Sequence, residues 1–240
     1  MPNDESRNIN CGFSNAEFGN QQSRIPMKRV GLTGGIASGK STVCEMLRTK
    51  GCIILDADYV AHQLMLRGQP CYAPVVEAFG TGILDGAAEI DRQKLGNLVF
   101  QNPSLLQRLN RLVHPEVIRQ IQTKLAIIEA GSSRARAIVE ASVMIESGFH
   151  TSFQYLILVI CKTAQQIERL SVRSGLSEEE ARLRMATQIP LEEKIPLANW
   201  VIDNSGSLEH TRMQVDLLWQ ELDTHVWAEQ GSGTLPRTTP

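Results

Sequence analysis

The chain has 240 residues, a formal net charge of -2, 42% hydrophobic and 21% charged residues, which is an ordinary globular balance with enough length to bury a sizeable core. So small a net charge argues against a protein whose main task is to coat nucleic acid, because that task needs many unpaired basic side chains. The five cysteines, Cys11, Cys44, Cys52, Cys71 and Cys161, are widely spaced with no C-x-x-C pair, and read as free thiols of a reducing cytosol rather than as a zinc or disulfide framework.

Residues 1–27 are polar and lack an apolar segment of the secretory kind, so they read as a disordered extension ahead of a domain spanning 28–228. A first strand is expected at 29–33, ending on Gly34 and Gly35, and a helix from Ser41 to Lys50, closed by Gly51 as its C′ glycine. "CIILD" at 52–56 is a second buried strand. The roughly 80 residues that follow carry almost no strand signal, far more than a crossover helix requires. Within them Leu105, Leu109, Leu112 and Val113 recur at helical spacing, Ser104 and Gln107 have capping-box spacing, and His114-Pro115 is expected to end the helix. A helical subdomain over 60–130 follows from this.

Three more short apolar runs, "RAIVE" at 136–140, "YLILVI" at 155–160 and "NWVID" at 199–203, complete a set of strands alternating with helices. That alternation predicts an α/β fold with a mostly parallel five-stranded sheet covered on both faces. The longest of these runs is far too short to span a bilayer. Between the last two, Thr163 with Gln166 and Ser177 with Glu180 have capping-box spacing, so two helices are expected to join near Gly175 and to stop at Pro190. Arg169, Arg173, Arg182 and Arg184 all fall in this hairpin, a candidate lid over 162–190; residues 229–240 read as a flexible tail.

Chemistry concentrates first in Gly34-x-x-x-x-Gly39-Lys40-Ser41, which fits the phosphate-loop pattern G-x-x-x-x-G-K-[ST] in full. Its backbone amides would cradle a polyphosphate, Lys40 would reach the β- and γ-phosphate oxygens, and the Ser41 hydroxyl would ligate Mg²⁺. Asp56-Ala57-Asp58 ends the second strand, where α/β sheets border their ligand crevice. Asp58 is placed to cap the next helix and also to orient an alcohol and accept its proton; Asp56 diverges from it across the pleat. His114 reads as a substrate contact rather than a catalyst. Arg169 and Arg173 share one helical face, and a guanidinium suits the charge on a transferring phosphoryl group.

These residues leave three readings open: a kinase of a small alcohol, a nucleotide-driven switch, and a protein that binds nucleotide without turnover. The chain has no Asn-Lys-x-Asp element of the guanine-specific switches. Intact Lys40 and Ser41 weigh against the third.

With "VGLTGGIASGKST", "DADYVAHQL", "LNRLVHPEV", "IERLSVRSGLSEEEARLRMATQIPLEEK" and "VIDNSGS" in this order, the chain resembles the dephospho-coenzyme A kinases from about Arg29 to His225. The resemblance implies a P-loop NTPase-type three-layer fold and transfer of the ATP γ-phosphate to the ribose 3′-hydroxyl of dephospho-CoA, with Mg²⁺ as cofactor. It implies ATP and dephospho-CoA as partners; the charge, the cysteines and the short apolar runs add the expectation of a cytoplasmic enzyme, monomer or weak homo-oligomer, with neither nucleic acid nor membrane as partner. ATP binding would fall on Gly34, Gly35, Ala37, Ser38, Gly39, Lys40, Ser41 and Thr42, and catalysis on Lys40, Asp58 and Arg169. The helical insertion would bind the CoA part, with Asp56, Asn110, His114 and Glu146 as acceptor contacts. Three residues depart from the family's usual pattern: Glu140 in place of aspartate, Ser142 in place of proline and Asn199 in place of aspartate. The first two are expected to bear on the acceptor pocket, the third on the adenine end.

Overall fold

The computed structural model describes residues 28–100, 102–132 and 135–227. The expected N-terminal extension, the C-terminal tail and Cys11 lie outside the described residues. Five strands, β1 (Val30–Gly34), β2 (Ile53–Asp56), β3 (Ala137–Glu140), β4 (Tyr155–Ile160) and β5 (Trp200–Asp203), form one sheet in the order β2-β3-β1-β4-β5. Every pairing is parallel. Their near-continuous apolar runs reflect burial on both faces: Ile138 and Ile157 pack with Val43 and Leu47 of α1 (Lys40–Thr49) and with Val215 and Leu218 of α9 (Leu208–Glu221). Their neighbours Val139 and Leu156 face the other way, onto the insertion helices. β1 lies between β3 and β4, so the strand order reverses at its carboxyl end, where an α/β sheet opens its ligand crevice.

The insertion between β2 and β3 is helical, as expected: α2 (Ala57–Leu64), α3 (Tyr72–Phe79), α4 (Arg92–Phe100) and α5 (Pro103–Gly131). α5 corrects two expectations. It runs 29 residues straight through Pro115, because the buried stripe Val113, Val117, Ile121 and Leu125 continues on both sides of the proline. Each such side chain is worth roughly 1.5–3 kcal/mol on burial, and together they exceed the cost of about 3 kcal/mol for an interior proline. Its cap is Asn102, whose side chain accepts from the Ser104 and Leu105 amides with Pro103 at the first helical position, so Ser104 does not begin the helix.

The hairpin between β4 and β5 consists of α6 (Thr163–Ser174) and α7 (Glu178–Met185), joined at Gly175, whose φ of 65° is left-handed. Ser177 and Glu180 form the expected capping box, and Arg182 pairs with Glu178 at 2.7 Å. Thr163 and Gln166 form none; the cap position is Lys162, without a side-chain bond. α7 ends at Met185, and Pro190 instead precedes α8 (Leu191–Lys194). The four described cysteines are buried and free, and burial pushes the Cys44 and Cys52 thiols up to about 12. Among the described residues no helix is long and apolar enough to cross a membrane.

Candidate active site

The phosphate loop leaves β1 at Gly34 and enters α1 at Lys40. Two left-handed residues turn it, Ala37 (φ 57°) and Gly39 (φ 94°). A Cβ on Gly39 would lie 1.9 Å from the Asn204 amide nitrogen, so both the dihedral and the space demand glycine. The turn leaves the backbone N–H groups of Gly39, Lys40 and Ser41 without an acceptor among the described residues, at the positive end of α1. Free amides on a helix N-terminus are an anion cradle.

Lys40 is buried, with Nζ 3.4 Å from the Gly34 carbonyl and 3.5 Å from that of Gly35. Burial pulls its ammonium below the usual lysine range, against the opposing pull of the Glu140 and Asp58 charges. Glu140, at the end of β3, is in turn raised above the usual carboxylate range, first by burial and then by Asp56 and Asp58, while Lys40 opposes. An anion arriving at the loop would give the lysine the partner its burial lacks.

The two acids after β2 divide their work differently from the expectation. Asp56, not Asp58, caps α2: its carboxylate accepts from the Tyr59 amide at 2.8 Å. Asp58 sits in the first turn, exposed, and accepts only from the Ser142 backbone N–H at 3.3 and 3.5 Å. A proline at 142 would have no N–H to donate there. Asp58 is therefore free of the capping duty and open to a ligand.

A cavity of about 820 Å³ joins these parts, lined by Gly39, Lys40, Ser41, Asp56, Asp58 and Glu140 on one side and by Arg169 and Arg173 on the other. Arg169 donates to the loop carbonyls of Ala37 (3.2 Å) and Ser38 (3.3 Å) and to that of Asn204 (3.3 Å). Arg173 is exposed at the same cavity. A smaller, largely apolar pocket of about 160 Å³ opens between α2, α5 and the loop after β3, lined by Asp58, Asn110, His114 and Phe149. Burial holds His114 below the usual imidazole range, opposed by Asp58.

Glu146 lines neither of these cavities. Its carboxylate is 2.6 Å from the buried Lys194 ammonium and accepts from the Ile189 amide at 3.2 Å, tying the loop after β3 to the chain beyond the hairpin. Asn199 corrects another expectation. It precedes β5 at the amino end of the sheet and makes 2.8 Å bonds through its amide N–H and its side-chain oxygen to Leu156, opposite the end that carries the phosphate loop.

Three residues that the sequence reading did not place in the site hold the loop. Gln166 donates to the Ile36 carbonyl at 2.8 Å, and Asn204 donates to the Ser38 carbonyl at 2.9 Å while its oxygen accepts from Thr211. Gln188 accepts from the Ile36 amide at 2.8 Å and donates to the Ser142 carbonyl at 3.3 Å. The only local signal was the helical face shared by Gln166, Arg169 and Arg173.

A Mg²⁺ ion fits this donor set. The Ser41 hydroxyl and the cavity carboxylates are hard oxygen ligands, the kind that would hold such an ion together with water and substrate phosphate.

A parallel α/β sheet with an amide cradle and lysine at its switch point, a free acid beside it and arginines from a helical hairpin opposite defines a P-loop phosphotransferase. The family model for dephospho-CoA kinase matches residues 28–210. Dephospho-CoA kinase of Aquifex aeolicus is 41% identical over 196 residues, 82% of this chain and 98% of its own. That of Carboxydothermus hydrogenoformans is 42% identical over 202 residues, covering 84% and 97%. Among solved structures, TT1252 from Thermus thermophilus superposes with a TM-score of 0.68 at 33% identity, covering 82% of this chain and 98% of that one. Dephospho-CoA kinase from Campylobacter jejuni gives 0.59 at 27% identity, covering 81% and 96%. The chain belongs to the dephospho-CoA kinase family.

Proposed function

We propose that the protein transfers the γ-phosphate of ATP to the ribose 3′-hydroxyl of dephospho-CoA, giving CoA and ADP, the last step of coenzyme A biosynthesis. The observation that carries this reading is that Asp58 lines both the phosphate-loop cavity and the apolar pocket of the insertion, at the boundary a phosphoryl group must cross. The loop amides and Lys40 hold the ATP phosphates. Asp58 orients the 3′-hydroxyl and takes its proton as the oxygen bonds to the γ-phosphorus and the bond to the β-phosphate oxygen breaks. Arg169, with Arg173 beside it, faces the charge that spreads over the transferring group. Magnesium, held by Ser41 and the phosphate oxygens, would neutralise phosphate charge. Asn110 and His114 serve the acceptor side, and Glu146 acts through the loop it anchors. Free buried thiols suit a cytoplasmic enzyme, and we read it as a monomer or weak homo-oligomer.

The test is ADP release measured with dephospho-CoA, adenosine, AMP and shikimate as acceptors. Dephospho-CoA is expected to be used far better than the others; a rate no better than with adenosine overturns the reading. Arg169→Ala is expected to lower kcat by about 10²–10³-fold, the loss typical of one donor to a developing charge. Its effect on the dephospho-CoA KM is expected to be smaller. Initial-rate kinetics check this, and a change confined to that KM would make Arg169 a binding residue instead.

A further inference from the structure

The reaction as described leaves Lys194 unused. This residue ends α8, is 2% exposed, and is the largest of the fully buried side chains among the described residues. Its ammonium lies 2.6 Å from Oε1 of Glu146; the other oxygen of that carboxylate, Oε2, is buried with no hydrogen-bond partner among the described residues. Such a pair is a poor source of stability, because desolvating both charges offsets their attraction and apolar side chains of similar volume do as well or better. Removing one partner alone is costly, since the other charge is then stranded. What a buried pair can supply instead is a single relative placement of the two segments that carry it.

Both segments reach the reacting groups. The loop after β3 carries Glu146 and, earlier, Ser142, whose backbone N–H is 3.3 Å from the Asp58 carboxylate. The chain beyond α7 carries Lys194 and, earlier, Gln188, which accepts from the Ile36 N–H of the phosphate loop and donates to the Ser142 carbonyl. Oε1 of Glu146 takes both the Lys194 ammonium and the Ile189 N–H, so one carboxylate oxygen pins the 189–194 segment at its two ends. The Lys194 charge is near enough to the phosphate loop to disfavour that of Lys40. Asp58 has no hydrogen-bond partner but Ser142 among the described residues, so the place of this loop decides how the carboxylate is turned. We propose that Glu146 and Lys194 are positioning residues for phosphoryl transfer, their pair fixing the Ser142 loop and through it Asp58 relative to the phosphate loop. The proposal rests on Asp58 as the base assigned above.

The test compares the full chain with Lys194→Met and with the double variant Glu146→Gln, Lys194→Met. In the double variant the amide keeps an oxygen for the Ile189 N–H, methionine fills the space of the lysine stem, and no charge is stranded. Its melting temperature is expected to match or exceed the parent's, while Lys194→Met alone melts lower than both. Its kcat with dephospho-CoA is expected to fall about 10- to 10²-fold, the loss that a displaced reacting group brings, with the ATP KM within about twofold of the parent. Hydrogen exchange of the 142–146 amides is expected to be faster than in the parent. Parental kcat in the double variant overturns the proposal, and so does parental exchange at 142–146 alongside a lowered kcat. A double variant as unstable as Lys194→Met, or one whose ATP KM rises as much as kcat falls, also overturns it, because the pair would then only hold the fold together. A parent protein that does not turn over dephospho-CoA would instead overturn the reaction assigned above; the melting and exchange comparisons do not depend on turnover and tell the two failures apart.

Discussion

Lys40→Ala is expected to lower phosphoryl transfer by about 10³-fold or more, because it removes the buried charge that the loop would hold against the γ-phosphate. The side chain is 7% exposed and has only two long carbonyl contacts, at 3.4 and 3.5 Å, with burial pulling its pKa down. Coulomb interactions there are several times stronger than in bulk water. In the absence of nucleotide the ammonium is desolvated and poorly partnered; phosphate oxygens would complete it. ADP release at saturating dephospho-CoA checks the expectation, and a rate near that of the parent would remove Lys40 from the site.

Asp58→Asn is expected to lower kcat by about 10²–10⁴-fold, the contribution of a positioned general base, with the ATP KM within about twofold of the parent. The amide keeps the shape of the carboxylate and an oxygen for the Ser142 N–H, so the loop after β3 keeps its anchor. What it loses is the capacity to take a proton. Because α2 is capped by Asp56, loss of rate in this variant cannot be traced to an uncapped helix. Steady-state kinetics with a melting curve separate the two roles, and an unchanged kcat would leave Asp58 without one in catalysis.

The parts of the site visible in the sequence are those whose chemistry is local. Gly34 to Ser41 form the cradle within eight successive positions, and the strands around it announce themselves as short apolar runs because parallel strands are buried on both faces. Caps were less legible. Asp56 and Asp58, or Asn102 and Ser104, are equally good capping residues two positions apart, and which of them caps depends on where the helix enters its packing. Pro115 misled because its cost is local while the burial that overrides it comes from elements elsewhere in the chain. Gln166, Gln188 and Asn204 were hard to read for a plainer reason: their partners in the phosphate loop lie 130, 152 and 166 residues away, and beyond the face Gln166 shares with Arg169 and Arg173 no local pattern marks an amide destined for so distant a bond.

Gln188 has a thermodynamic consequence. One end of its amide accepts the Ile36 N–H of the donor loop and the other donates to Ser142, whose own N–H holds Asp58. A single amide therefore spans the loop that would hold the donor and the loop that holds Asp58. If nucleotide and acceptor affinities are coupled through it, linkage requires reciprocity: whatever factor bound nucleotide adds to acceptor affinity, bound acceptor returns to nucleotide affinity.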